Sequence, residues 1–82
     1  MVSLIGAADS FTVSTMPEGD ALKDTITKYG LPGEMTGTGE IRHGFVHLHV
    51  VVGVEGDRAI AGHLHEAHIG TRFDRTYVIP VT

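Results

Sequence analysis

Three histidines carry the chemistry that this sequence suggests. His47 and His49 lie in the aliphatic run Phe45–Val52, and His63 lies further along in a Gly-His-Leu motif. In a β-strand, residues two apart point to the same face of the sheet. His47 and His49 therefore share one face, while aliphatic residues fill the other. Neutral imidazole is a good ligand for Zn²⁺, and three protein ligands leave a fourth position open for water or a small molecule.

A tight turn decides whether His63 joins the other two histidines. The segment Glu55–Asp57 predicts a three-residue hairpin loop. The flanking strands then pair so that His49 lies opposite His63 and His47 lies opposite His65. Directly opposed Cβ atoms are about 5 Å apart, which lets imidazoles converge on one ion. A two-residue loop would turn His63 to the other face, so the predicted metal site depends on the loop length.

Other interpretations of these polar residues stay open. A solvent-facing row on a half-exposed sheet is the alternative interpretation of the three histidines. His65 shares the face of His63 in this register and would assist or replace a ligand, or decorate the surface. Glu66 points to the opposite face of a regular strand, and His43 is expected to be exposed in a turn. The spacing of His65, Glu66 and His68 does not fit the zinc-protease motif, which needs its second histidine one position later.

Composition limits the number of domains, the cellular location and the binding partners that the chain can have. The chain has 82 residues, enough for one domain with a marginal core. It has no Cys, so neither a disulfide nor a thiolate ligand is available. Its aliphatic runs are too short to span a membrane, and its first residues lack a signal-like segment, so we expect a cytoplasmic protein. The net charge is −4 and the six Lys and Arg are scattered, which argues against nucleic-acid binding.

The elements that position the histidines are mostly strands. The segment Asp20–Tyr29 predicts one short helix, because Asp20 can cap it, apolar residues recur at helical spacing, and Gly and Pro follow it. Pro80 places the last strand at a sheet edge. The sum is an α+β fold, a mainly antiparallel sheet of five or six strands with that helix. Alternation and turn residues predict strands at Val2–Ile5, Ser10–Thr15, Glu34–Ile41, Phe45–Val52, Ala59–Glu66 and Phe73–Val81.

Three segments, Gly37–Ile41, His47–Gly53 and Gly62–Glu66, together resemble the plants and prokaryotes conserved (PPC) domain. That family has a His-x-His strand followed, after a short hairpin, by Gly-His-Leu and often an acidic residue. The opening segment Ser3–Ala8 is also similar to a strand of the family. The likeness spans nearly the whole chain and implies a PPC-like fold, as a single domain over residues 1–82 that lacks the family's N-terminal strand and helix.

The resemblance also implies an assembly and a site. It implies a homotrimer with a metal near the subunit interface, held at the positions occupied here by His47, His49 and His63. The fold is similar to that of acetolactate decarboxylase, in which a comparable trio of histidines holds catalytic zinc. Plant members carry an AT-hook, a basic DNA-binding segment, and this sequence has no Arg-Gly-Arg core of that kind.

Functions of different classes follow from these observations. The first is a trimeric domain whose three-histidine site holds Zn²⁺, or another divalent metal that imidazole suits, and binds a small anionic or carbonyl ligand. Catalysis would need a general acid or base beside the metal, and Glu40 and Glu66 are the nearest candidates by sequence. The alternative is a non-catalytic regulatory or interaction module of a DNA-associated complex, in which the metal is structural or absent. A third is a shortened chain that assembles without activity of its own.

Overall fold

The computed structural model describes residues 1–20 and 22–80, and within them the chain forms one antiparallel sheet of seven strands. The order across the sheet is β3-β2-β6-β5-β4-β1-β7, so the three longest strands, β4, β5 and β6, are adjacent in its middle. The strands are β1 (Val2–Ala8), β2 (Ser10–Thr15), β3 (Thr25–Tyr29), β4 (Gly33–Arg42), β5 (Phe45–Val54), β6 (Arg58–His68) and β7 (Asp74–Val78).

The α+β prediction is wrong for the described part of the chain, because the helix predicted at Asp20–Tyr29 does not form. Asp20 caps a turn instead, and its carboxylate accepts a hydrogen bond at 2.9 Å from the backbone amide two residues on. Residues Thr25–Tyr29 then pair with β2 as an edge strand. Three consecutive β-branched residues open that strand and favour it. The ring of Tyr29 also stacks on Phe11 at a centroid distance of 5.1 Å.

The six predicted strands are present, with shifted ends. Strand β6 continues past the predicted end at Glu66 to His68, while β7 is shorter than predicted. It lies at the sheet edge, as Pro80 indicates. The predicted last residue of that strand, Val81, lies outside the described residues. Within residues 1–20 and 22–80, no helix is long and apolar enough to cross a membrane.

The hydrophobic core lies on one face of the sheet. Strand β5 shows how it is built, because Val50 and Val52 are at most 2% exposed while Val51 between them is 50% exposed. This is the two-residue period of a strand with one buried face. The same alternation places His47 and His49 on the opposite face, which we call the histidine face. The buried core consists of Leu4, Ala8, Phe11, Val13, Met35, Val50, Val52 and Val54.

Glycines let strand β4 lie close against β5. A Cβ at Gly39 would collide with the backbone carbonyl of His47, and a Cβ at Gly37 would lie 2.8 Å from a methyl group of Val50. Side chains at these two positions would therefore push the strands apart. The approach of the two backbones keeps the histidine-bearing strand in a continuous ladder from Gly33–Val54 to Arg42–Phe45.

Candidate metal centre

The hairpin of β5 and β6 sets two histidines side by side. Its loop has the three predicted residues, Glu55–Asp57. The last two adopt φ values of 89° and 56°, left-handed conformations that suit a Gly-Asp pair in a tight loop. Pairing runs from the loop to the rung that joins His49 to His63. The predicted register, with these two histidines opposite each other, is confirmed.

A β-bulge changes the direction of the side chains beyond His63. Strand β2 pairs with Leu64 and then, at its next residue, with Glu66, which leaves His65 as the extra residue. One extra residue shifts the alternation, so Glu66 comes to the histidine face, where it pairs with Thr12. The prediction that Glu66 points to the opposite face holds only for a regular strand and is wrong here.

Three imidazoles gather around that of His63. Its ring centroid lies 5.5 Å from that of His49, 5.9 Å from that of His47 and 5.1 Å from that of His65. The ladder between β5 and β6 ends at the rung of His49 and His63. The predicted pairing of His47 with His65 is therefore wrong, and the bulge places His65 beside His63 instead. The structure thus brings together the three predicted ligands and one further histidine.

The remaining two histidines do not belong to this cluster. His43 is exposed in the turn between β4 and β5, as predicted, with a φ of 50°. His68 is exposed at the end of β6 and lines a small surface cavity with Lys28 and Ser10. Both are useful controls, because they are histidines that lie outside the cluster.

The spacing of the rings fits a metal ion. Two imidazoles bound tetrahedrally at a Zn–N distance of about 2.0–2.1 Å have their ring centroids about 5 Å apart. The distances from His63 to His47 and His49 are close to that value. Among residues 1–20 and 22–80, no three His, Cys, Asp or Glu side chains already surround one ion-sized position. The side chains of His47 and His49 are exposed, so they have room to change rotamer.

The surroundings of His63 favour its neutral form. Burial lowers the pKa of His63 from its usual 6.5, and the imidazoles of His65, His49 and His47 lower it further. Asp24 acts in the opposite direction and raises it. Neutral imidazole is the form that binds a metal, since a proton and a metal ion compete for the same lone pair. The central residue of the cluster is thus ready to bind a metal at neutral pH.

Asp24 is the residue of this site that the sequence does not indicate. The negative charge of its carboxylate favours protonated His63 and so raises the pKa of that histidine. Ile26, two residues on, pairs with Ser14, and Ser14 pairs with His63. Asp24 directly precedes β3, and extending the alternation of that strand by one residue places Asp24 on the histidine face. The predicted helix hides this placement, which becomes visible only when Thr25–Tyr29 is known to be a strand.

The two carboxylates considered from the sequence have different settings. Glu40 lies opposite His47 on β4, and its carboxylate forms an ion pair with Arg42 at 3.2 Å. Glu66 is the residue directly after the bulge, where it pairs with Thr12 of β2, and it lines the surface cavity that contains His68. Of these two, Glu40 is the one that lines a groove together with the histidines of β5.

Comparisons with known proteins establish the fold. No protein-family model and no curated protein matches this chain. Among solved structures, the chain is similar to the crystal structure of the metal-containing protein AF0104 from Archaeoglobus fulgidus, with a TM-score of 0.68 and 22% sequence identity. The match covers 92% of this chain and 55% of the other, so this chain spans just over half the length of that protein. A likeness at this identity is a likeness of fold, and function has to be argued from the site.

Proposed function

We propose that this chain is a metal-binding domain in which His47, His49 and His63 hold a divalent ion, with Zn²⁺ as the best fit. The arrangement of imidazoles around His63 carries the proposal, because two rings from β5 lie 5.5 and 5.9 Å from it on one face. The chain has no Cys, and imidazole donors suit Zn²⁺ along with Ni²⁺, Cu²⁺ and Fe²⁺. The structurally similar archaeal protein is itself a metal-containing protein, which is consistent with this proposal.

The ligand of such a site is a small anion or a carbonyl compound. An ion held by three neutral imidazoles keeps its positive charge and an open position, so it attracts and polarises oxygen atoms. Of the carboxylates on the histidine face, Asp24 acts on the pKa of His63 and Glu40 lines a groove with His47 and His49, so these two are the candidates to exchange a proton with a bound ligand. A general acid or base of this kind is what a catalytic function requires beyond the metal.

We further propose a PPC-type homotrimer. The order of the His-x-His strand, the hairpin and the Gly-His-Leu motif supports the resemblance, and the hairpin has the register that this order requires. Exposed apolar side chains support an assembly, since Leu22 is 97% exposed, Met16 64% and Ile26 61%. Apolar side chains left this open in a small domain are typical of surfaces that another chain covers.

The alternative, a non-catalytic module of a DNA-associated complex, gains no support from the charges. Arg42 and Arg72 form ion pairs with Glu40 and Asp9, at 3.2 and 2.9 Å. The chain carries a net charge of −4. A duplex-binding surface needs a cluster of cationic side chains facing the phosphates.

Elemental analysis of the purified, untagged protein tests the proposal, with its mass in solution measured alongside. We expect one ion per chain and three times the chain mass of 8.8 kDa. His63→Ala should lose the ion, and His47→Ala should lose it or bind it at least tenfold more weakly, because each removes one of three ligands. The matched control, His68→Ala on the same strand, should keep it.

His65→Ala separates a three-ligand site from a four-ligand one, since only the latter loses affinity in that variant. A native protein that binds no ion after reconstitution with Zn²⁺ would refute the proposal. So would a His63→Ala variant that keeps the ion at native affinity.

A further inference from the structure

A groove runs along the histidine face, over strands β5, β4 and β1. It begins beside His47 and His49, continues past Val51 and ends at Gly53, so it follows β5 for most of its length. Neighbouring stretches of the groove share His49 and then Val51, so they lie next to one another along the strand. The stretch at the end with Gly53 has a volume of about 420 Å³. That volume lies within the range of about 300–1,000 Å³ that is usual for small-molecule sites.

The lining of the groove becomes more apolar away from the histidines. Near His49 it includes hydroxyl-bearing side chains. Farther along, Val51 and Ile5 are 50% and 51% exposed, and Phe73 at the end is 60% exposed. Apolar side chains in this position favour contact with an alkyl group over contact with water. The hydroxyl-bearing side chains of the first part are Ser3, Thr36 and Thr38.

Charges at the two ends of the groove determine the orientation of a bound ligand. The histidine end would carry the positive charge of a bound ion. Glu40 at that end is already paired with Arg42 at 3.2 Å, which leaves less negative charge to repel an anion. Glu34 lines the apolar end and would repel a second carboxylate there. The groove therefore suits a molecule with one negative end and one uncharged, apolar end.

We infer that the ligand class of this site is the linear monocarboxylates, with the carboxylate at the histidines and the alkyl chain lying over Val51 towards Phe73. The inference rests on the proposed metal function. Three residues of β5 lie between His49 and Gly53, so four steps of about 3.3 Å, or about 13 Å in all, join the two. The groove thus has room for an alkyl chain well beyond the length of acetate.

Gly53 offers a steric probe of the apolar end. A Cβ added there would meet only the carbonyl oxygen of Glu34, at 3.9 Å, and the residue does not have a left-handed backbone. Gly53→Val therefore suits the strand and fills the groove without displacing its neighbours. Gly30 is the matched control, since a Cβ there meets nothing within 4 Å and the residue follows β3, at the other edge of the sheet.

Calorimetric titration of the zinc-loaded protein with acetate, butyrate, hexanoate and octanoate tests the inference. We expect affinity to rise about two- to fourfold per methylene group, fourfold being the value for full burial. Gly53→Val should remove most of the gain for octanoate while leaving acetate affinity and zinc content unchanged. Gly30→Val should behave like the native protein.

Zinc content measured on the same samples separates two kinds of failure. A zinc-loaded protein whose affinity does not grow with chain length overturns the monocarboxylate inference and leaves the metal function standing. A protein that binds no zinc overturns both. If Gly53→Val lowers the mass in solution and leaves octanoate affinity unchanged, a second copy of the chain occupies the groove, and the inference is again overturned.

Discussion

The two faces of strand β5 are built from the same ten residues and have opposite characters. On one face, Val50, Val52 and Val54 are 2%, 0% and 7% exposed and form the centre of the core. On the other, His47 and His49 are exposed and are the only polar side chains of the strand. Stability therefore resides on one face, and the other is free to carry groups that bind rather than pack.

Glycine has a different role on each face. On the core side, Gly37 and Gly39 allow two backbones to approach, because any Cβ there would collide with β5. On the histidine face, Gly53 is open to solvent, and its missing side chain leaves space at the end of a groove. The same residue type thus supports packing in one case and access in the other, and only the direction of the missing Cβ tells them apart.

Truncating an aromatic residue on each face should give the largest difference. Phe11 is 2% exposed and stacks on Tyr29, so Phe11→Ala should lower the free energy of unfolding by about 3–5 kcal/mol. Phe45 is 72% exposed on the histidine face, so Phe45→Ala should change the free energy of unfolding by less than about 0.5 kcal/mol. Urea denaturation of both variants measures the difference. Equal losses would contradict the assignment of stability to one face.

Two adjacent valines make a narrower comparison on a single strand. Val52 is fully buried, so Val52→Ala should lower the free energy of unfolding by about 2 kcal/mol, through lost burial and a residual cavity. Val51→Ala makes the same chemical change at a half-exposed position and should lower the free energy of unfolding by less than about 0.5 kcal/mol. Urea denaturation midpoints give the two changes directly, provided that the dependence of the free energy of unfolding on urea concentration is the same in both variants. A larger loss at Val51 would mean that the histidine face is covered.

The register of the β5–β6 hairpin could be predicted because its signals are local. The loop Glu55–Asp57 supplies residues that accept left-handed backbone, and the flanking alternation allows only one pairing that keeps His49 and His63 on the same face. The three predicted ligands follow from that local information, and so does the place of His65 on the same face as His63. The prediction needed no knowledge of any other strand.

The parts that could not be predicted depend on contacts with strand β2. Residues Asp20–Tyr29 have helical spacing of apolar residues, yet the stacking of Tyr29 on Phe11 and the ladder to β2 select a strand. The bulge at His65 likewise arises where β2 pairs with β6, and no residue near it is a Gly or Pro that would signal it. Such decisions lie in tertiary pairing, which overrides local propensity. For this reason the sequence indicated neither the place of Asp24 nor the loss of the predicted pairing between His47 and His65.

The smallest expected effect is a pH dependence that belongs to His63. Burial, followed by the imidazoles of His65, His49 and His47, lowers the pKa of His63 below 6.5 in the folded protein, against the opposing influence of Asp24. Above pH 6.5 both the folded and the unfolded chain carry a neutral His63, so its contribution to stability is fully present. As the pH falls below 6.5, the unfolded chain takes up the proton first, and stability is lost until the pH passes the lowered pKa of the folded protein.

Urea midpoints of metal-free protein between about pH 7.5 and 5 should therefore decrease more steeply for the native chain than for His63→Gln. His68→Gln, on the same strand and outside the cluster, should keep the native slope. Asp24→Asn sharpens the test, because the carboxylate it removes raises the pKa of His63. Without it, the pKa of His63 in the folded protein falls further, and the loss of stability on acidification should extend to lower pH. An Asp24→Asn variant with a shallower slope would mean that the carboxylate does not face the histidines, and the strand-based placement of that residue would fail with it.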